Sequence, residues 1–272
     1  MKFRGQLEIV CQTDVGKIKD HNEDCLSSDT DLGLAVLADG LGGSNAGEIA
    51  SSVSVGLLMD ELQSFQRDSS PSATEWATDE SAEPVPVQVV QRAIENANDA
   101  VFKMSQKDPL RQGMGTTILV SLFYDNKVAV GHIGDSRLYR FRHGKLLQIT
   151  RDHSFVQVLV DKGLYTREEA RSSSKKNVVT RALGVALEVD VEVHEHRVKV
   201  GDLYIMCSDG LTDLVDDDDL ETIITEPDAS LTETAGHMVN LANANGGKDN
   251  ISVVLVKIHK PFPEDPENSS GG

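Results

Sequence analysis

The sequence predicts an α+β fold in which mainly antiparallel β-sheets carry helices on their outer faces. Short apolar runs of strand length, separated by Gly- or Asp-bearing turns, make up much of the chain. Three longer stretches instead repeat apolar residues at helical spacing. The order is strands, two long helices, many strands, short helices, then strands. That order lacks the regular alternation of a doubly wound parallel sheet.

Each element has its own signal. Leu34–Ala38 is an apolar run ending in Asp-Gly, a strand followed by a turn. In Glu48–Phe65 the residues Ile49, Val53, Leu57, Leu58, Leu62 and Phe65 fall on one helical face. In Val87–Lys107 the stripe is Val90, Ala93, Ile94, Ala97, Val101 and Met104, closed by Asp108-Pro109. Between these helices, 67–86 is rich in Ser, Thr and Pro, with five acids against one base, and reads as a mobile surface loop. Ile118–Phe123, Val128–Ile133 and Leu138–Arg142 are strands. Thr166 with Glu169 forms a capping-box pattern that starts a short helix. Leu203–Cys207 is a strand. Leu231, Ala235, Met238, Val239 and Ala242 mark a helix stopped by Gly246-Gly247, and Ile251–Ile258 is the last strand. The expectation is one domain over residues 1–260, followed by a disordered tail over 261–272.

Composition bounds the function. With 26 Lys+Arg against 44 Asp+Glu in 272 residues, the formal charge is −18. Such a surface repels phosphate backbones and anionic membranes, which argues against a nucleic-acid binder. No apolar run approaches the ~20 residues that span a bilayer, and Met1–Gln12 has no signal-peptide core. Cys11, Cys25 and Cys207 are odd in number and widely separated. They fit a reducing compartment and small buried side chains rather than a disulfide framework. The expectation is a soluble, cytoplasmic protein.

The acid excess contains a pattern. Most acids, such as Asp216–Asp219, read as solvated surface. Asp39, Asp135 and Asp209 instead each stand at the C-terminal end of a strand, and Asp249 stands at the start of one. In an antiparallel sheet those ends can share one edge. Carboxylates gathered there repel one another unless cations sit between them. All-oxygen donors suit Mg²⁺ or Mn²⁺ rather than zinc. Gly40, Gly42 and Gly43 let the backbone come close to an ion, with the Gly40 carbonyl as a ligand. The alternative is four unrelated turn aspartates. His194-Glu195-His196 is the nearest thing to a His cluster, and its period of two puts both histidines on one face of an exposed strand.

Several short motifs, in order, resemble one family. These are Thr13-Asp14-Val15-Gly16 with Asn22-Glu23-Asp24, Ala38-Asp39-Gly40-Leu41-Gly42-Gly43 with Ala46-Gly47-Glu48, and Gly115-Thr116-Thr117. They continue with Gly134-Asp135-Ser136-Arg137, Thr150-Arg151-Asp152-His153-Ser154, Thr180-Arg181-Ala182-Leu183-Gly184, Ser208-Asp209-Gly210-Leu211 and Asp249-Asn250-Ile251-Ser252. Any one is weak, but the ordered set, from Thr13 to about Ile258, is specific. It resembles the metal-dependent protein phosphatases, the PPM or type 2C serine/threonine phosphatases, in their bacterial form.

The resemblance implies an α-β-β-α sandwich of two antiparallel sheets, with a binuclear metal site at one end. It implies that Asp39 bridges two divalent cations, Mn²⁺ or Mg²⁺. The Gly40 carbonyl joins the second ion, and Asp209 and Asp249 hold the first. Glu23 and Asp24 hold metal-bound waters, and Asp135 with Asp209 matches the place of a third, weaker ion. A metal-bridging hydroxide then attacks phosphoserine or phosphothreonine in line, without a covalent phosphoenzyme. Asp39, Asp209 and Asp249 are thus the catalytic set. The implied partners are phosphorylated proteins and, by analogy alone, an opposing Ser/Thr kinase; the chain is expected to act as a monomer, with no nucleic acid and no membrane insertion.

Three positions depart from the family pattern. Lys19 stands where an Arg usually binds the substrate phosphate; it can act as a point charge but not as a two-pronged donor. Ser44 stands where a His commonly sits, which opens the identity of the general acid; His153 and water on the third ion are the substitutes. The flap, residues 163–176, carries Ser172-Ser173-Ser174-Lys175-Lys176, and its basic charge either attracts acidic substrate or merely decorates a mobile loop. The departures leave a second reading, a weakly active or inactive phosphatase-like regulatory binding protein. A nucleotide hydrolase is disfavoured, because no Gly-x-x-x-x-Gly-Lys-[Ser/Thr] loop is present.

Overall fold

A computed structural model describes residues 3–42, 46–67 and 84–262. The expectations for Gly43, Ser44, most of the 67–86 loop, with its Trp76, and the tail from 263 lie outside the described residues.

The strands are β1 (Leu7–Asp14), β2 (Asp24–Asp29), β3 (Leu34–Leu41), β4 (Gly115–Thr116), β5 (Ile118–Tyr124), β6 (Lys127–Ile133), β7 (Arg137–Arg142), β8 (Lys145–Gln148), β9 (Glu192–Arg197), β10 (Leu203–Cys207) and β11 (Ile251–Ile258). The helices are α1 (Ala46–Arg67), α2 (Val85–Lys107), α3 (Phe155–Asp161), α4 (Arg167–Ser172), α5 (Asp209–Thr212), α6 (Asp217–Ile224) and α7 (Leu231–Ala244). One sheet has the order β1-β11-β10-β7-β8 and the other β2-β3-β5-β6-β9, with β4 paired to β3. Every strand pairing within these sheets is antiparallel.

Strand periodicity builds the layers. In β3, Leu34, Val36 and Ala38 face α1 and α2, while Ala35 and Leu37 face the second sheet. In β11, Val254 and Val256 point between the sheets, while Val253 and Leu255 pack toward α5–α7. Successive side chains of a strand alternate faces, so both faces of each sheet are covered. The result is helices, sheet, sheet, helices, as the motifs implied. The capping box at Thr166 forms, with Glu169 returning to the Thr166 backbone.

Two expectations shift. The fold runs past residue 260: Phe262 is buried, packs edge-on against Phe3 and Phe123, and donates its N–H to Asn126 Oδ1 at 2.7 Å. An aromatic ring with such a pocket within reach gains by burying its apolar surface. Of the three cysteines, all free, only Cys207 is buried; Cys25 is half-buried and Cys11 is exposed on edge strand β1. No helix among the described residues is long and apolar enough to cross a membrane.

Candidate active site

Antiparallel order sends the carboxylates to one end of the sandwich. In one sheet that end collects the C-termini of β3 and β6 and the N-termini of β2 and β5. In the other it collects the C-termini of β1 and β10 and the N-termini of β7 and β11. Asp24 and Asp39 are direct cross-strand partners on β2 and β3. Asp135 follows β6, Asp209 follows β10, and Asp249 precedes β11. The two sheets are tied across this end by Ser208 Oγ, which donates to Asp24 Oδ2 at 3.0 Å. Thr117 N–H donates to the Asp39 carbonyl at 2.8 Å and its hydroxyl accepts from the Asp39 N–H at 3.0 Å, fixing the backbone of that residue. Thr117 Oγ1 also meets Ser136 Oγ at 2.7 Å, beside Asp135.

The carboxylates feel one another. Burial, then the charges of Asp24, Asp209, Asp135 and Asp249, raise Asp39 well above the usual carboxylate range. Burial, then Asp135, Asp213, Asp249 and Asp24, do the same to Asp209. Burial raises Asp24 to about 6, and burial with the Asp152 charge raises Asp135 to about 6. Asp24 Oδ1 is buried without a hydrogen-bond partner. Mutually repelling carboxylates with an orphaned oxygen call for positive charge, and the donors are all hard oxygens. The residues therefore fit divalent cations of the Mn²⁺ or Mg²⁺ kind.

The remaining expected residues lie around this cluster. Gly40 donates its N–H to the Glu23 carbonyl at 3.2 Å. A side chain at Gly40 would meet the Gly47 carbonyl oxygen at 2.4 Å, so close contact with α1 fixes the glycine. The Glu23 carboxylate lies beside Gly47, in the first turn of α1, where helix amides favour negative charge. Lys19 reaches Asp249, Nζ to Oδ1, at 2.6 Å. Burial works against its charge, but the Asp249 partner, with Glu23 and Asp39 further off, holds its pKa above the ordinary lysine value.

His153 is not placed to donate a proton here. Its Nδ1 accepts from the Gly134 N–H at 3.1 Å, and its Nε2 faces Glu192 Oε1 at 3.3 Å. Burial, then His132 and Arg181, push it down to about 4, so it is neutral near pH 7. It braces the turn that presents Asp135. His132, His153 and Glu192 have ligand atoms within 4.8 Å of one another. They do not make a second metal site, because an imidazole that accepts at Nδ1 carries its proton at Nε2, the nitrogen an ion would need. His194 and His196 lie on one face of β9, with ring centroids 6.4 Å apart.

The flap sets its basic side chains against acids and a ring. Lys176 pairs with Asp213 at 2.7 Å, Arg171 pairs with Asp216 at 2.8 Å and Asp217 at 3.5 Å, and Lys175 lies over the Phe155 ring. Asp216 and Asp217 lie at the surface as read, Asp216 with its side chain 69% exposed, and each also meets Arg171. A cavity of about 440 Å³ lies under the flap, with Asp135 and Asp209 on one side and Ala170, Arg171 and Lys176 on the other.

The sequence reading did not single out the Asn250 side chain, which ties three points of this end together, although the residue lies inside a motif. Its Oδ1 accepts the Glu23 N–H at 2.8 Å, and its Nδ2 donates to the Val15 and His21 carbonyls, each at 3.0 Å. The available signal was an amide placed immediately before the largely apolar, buried strand β11, where a polar side chain needs internal partners.

A double antiparallel sandwich whose end gathers oxygen ligands from both sheets defines a divalent-cation enzyme class. The comparisons narrow that class. The family described as protein phosphatase 2C matches residues 17–245. The serine/threonine phosphatase stp of Listeria monocytogenes is 33% identical over 249 residues, covering 90% of this chain and 94% of that protein. The structure of the Mycobacterium tuberculosis serine/threonine phosphatase PstP/Ppp superposes with a TM-score of 0.80 at 34% identity, over 93% of this chain and 99% of that one. The PstP catalytic domain in complex with two manganese ions gives a TM-score of 0.79 at 34% identity, with the same coverage. The chain belongs to the protein phosphatase 2C family, in its bacterial metal-dependent form. The fold, family and phosphatase activity expected from the motifs hold, and its cofactors are divalent cations of the Mn²⁺ or Mg²⁺ type.

Proposed function

We infer that the chain hydrolyses phosphoserine and phosphothreonine in proteins, as a single catalytic domain over roughly residues 1–262. The observation that carries this reading is the convergence of Asp24, Asp39, Asp135, Asp209 and Asp249 at one end of the sandwich, with Lys19 against Asp249. Asp39, the Gly40 carbonyl, Asp209 and Asp249 would hold two cations. Glu23 and Asp24 would hold their hydration, and Asp135 with Asp209 a third, weaker ion. Bound there, divalent cations make water nucleophilic near neutral pH and offset charge on phosphoryl oxygens.

The chain's own groups do the rest. Thr117 and Ser208 orient Asp39 and Asp24 through the bonds described above, so the ligands are set before substrate arrives. Lys19 offers an ammonium beside the carboxylates that a phosphate can accept as a point charge. Its pairing with Asp249 supports that role over the alternative of a solvent-facing base next to Lys17. The uncatalysed hydrolysis is among the slowest known, so orientation and charge must supply a very large barrier reduction. The protein opposes a separate Ser/Thr kinase in the cytoplasm and works as a monomer.

The test is hydrolysis of a phosphothreonine peptide with Mn²⁺, with Mg²⁺ and with EDTA, comparing wild type and Asp39→Asn. Turnover that needs metal and falls at least ~10³-fold in the variant supports the reading. A wild type that binds Mn²⁺ in calorimetry but turns nothing over would instead favour the regulatory binding protein.

A further inference from the structure

One buried amide touches each segment of the wall that carries Lys19. Asn250 is 3% exposed. Its Oδ1 takes the Glu23 N–H, and the two hydrogens of its Nδ2 go to the carbonyls of Val15 and His21. Its own backbone N–H donates to Asp249 Oδ1 at 2.8 Å, and its carbonyl accepts from Ser208 Oγ at 3.4 Å. Residues 15–23 contain no strand or helix. A single NH₂ group therefore closes the loop by holding its two ends, and Lys19 stands between those ends. The residue next to the amide, Asp249, is the one that Lys19 meets.

We propose that Asn250 is the positioning residue that sets Lys19 and Glu23 at a fixed place relative to the aspartate cluster. The proposal rests on the reading of Lys19 as a phosphate contact. It acts through the loop and touches no reacting atom. Only asparagine supplies the pattern at this reach: two donors for carbonyls and one acceptor for an N–H. Aspartate keeps the acceptor but has no donors. Serine has one donor and a shorter arm. Once the amide is lost, the Val15 and His21 carbonyls lose their partner, and the stretch that carries Lys19 is left with the Lys17 N–H bond to the Gly247 carbonyl on one side and the Asn22 and Glu23 bonds on the other, while the carboxylates of β2, β3 and α5 keep their own supports.

The experiment measures KM and kcat for a phosphothreonine peptide at saturating Mn²⁺ for wild type, Lys19→Ala, Asn250→Ser and the double variant. Thermal melts and Mn²⁺ calorimetry are run on each. The expected result is a severalfold rise in KM for Asn250→Ser, a smaller change in kcat, retained Mn²⁺ binding, and a double variant no worse in KM than Lys19→Ala alone. A lowered melting temperature with unchanged KM would mean a purely structural amide and overturn the proposal, as would independent, multiplying KM effects in the double variant. An unchanged KM in Lys19→Ala overturns the phosphate reading and the positioning role with it; a raised KM there with a normal Asn250→Ser overturns the positioning role alone. Asn250→Asp, which keeps the volume and the bond from Glu23, carries the same test if the serine variant does not fold.

Discussion

The loop of residues 15–23 and the flap of residues 163–176 flank the same carboxylates, yet they are fastened by different forces. The loop is held from inside. Beyond the Asn250 amide, Lys17 N–H donates to the Gly247 carbonyl at 2.7 Å, Asn22 Nδ2 to Thr13 Oγ1 at 2.7 Å, and Asn243 Nδ2 to Asp14 Oδ1 at 3.0 Å. These are short, directional bonds between uncharged groups or to a fixed carboxylate. The flap is held from outside, by Arg171 and Lys176 on Asp213, Asp216 and Asp217, and Asp216 is 69% exposed. Exposed ion pairs are worth about 1 kcal/mol at most and weaken with salt. On the proposed role of Lys19, the phosphate common to every substrate is met by the rigidly held wall. The wall held by exposed ion pairs is the one left easy to move.

The largest test of this contrast is Gly16→Ala. Gly16 has φ +79°, and a methyl there would lie 2.3 Å from the Asp249 carbonyl oxygen and 2.8 Å from that of Gly247. Both obstacles are backbone. The variant should lose about 2 kcal/mol or more of stability and raise KM, read by a thermal melt and steady-state kinetics. A wild-type melting temperature would show that the loop is not docked as tightly as described.

Between the two walls, the carboxylates themselves predict a coupling of metal to pH. Asp24 and Asp135 have folded-state pKa values raised to about 6. A carboxyl raised in the folded state contributes stability below its unfolded pKa, and that contribution is lost as pH rises through the folded value. The EDTA-treated protein should therefore melt progressively lower between about pH 4 and pH 7 relative to the Mn²⁺-bound protein. The gap between the two should widen with pH, and a gap that narrows would contradict the clustering.

The smallest expected effect belongs to the flap. Arg171→Ala with Lys176→Ala should leave KM for a small phosphomonoester within about twofold while altering KM for a phosphopeptide. About 0.5 M NaCl should produce the same peptide-specific change in wild type, because such salt shortens the Debye length to a few ångströms. Equal effects on both substrates would place the flap's hold on the reaction itself.

The strands that the sequence made plain and those it hid differ by position in the sheets. Leu34–Ala38, Ile118–Phe123, Val128–Ile133 and Ile251–Ile258 lie inside their sheets and must be apolar on both faces. The strands without a clear signal, β1, β2 and β8, are edges, and edge β9 showed only its paired histidines. Sequences such as Asp24–Asp29 (DCLSSD) and Glu192–Arg197 (EVHEHR) bury only part of their surface and need little hydrophobicity. The aspartates were legible because the same placement recurs, with Asp39, Asp135 and Asp209 after apolar runs and Asp249 before one, and because the ordered motifs contain them. Asn250 was not, because its value lies in contacts with Val15, His21 and Glu23, more than 220 residues away in the chain. The flap's ion pairs were hidden for the same reason: charge composition shows that bases are present, but not that Asp213 and Asp216 neutralise them.

The pairing of β1 with β11 runs in register from Leu7↔Ile258 to Asp14↔Ile251. Translation is vectorial, so the first strand leaves the ribosome long before its neighbour exists. Of the residues gathered at this end, Asp249 and Asn250 are made last, and until then the loop that carries Lys19 lacks the partners Asn250 and Asp249 give it. A nascent chain thus holds most of the clustered aspartates before Asp249 can join them. The β1–β11 pairing, and with it the Asp249–Asn250 corner, can close only after every other strand and helix of the described fold has been made.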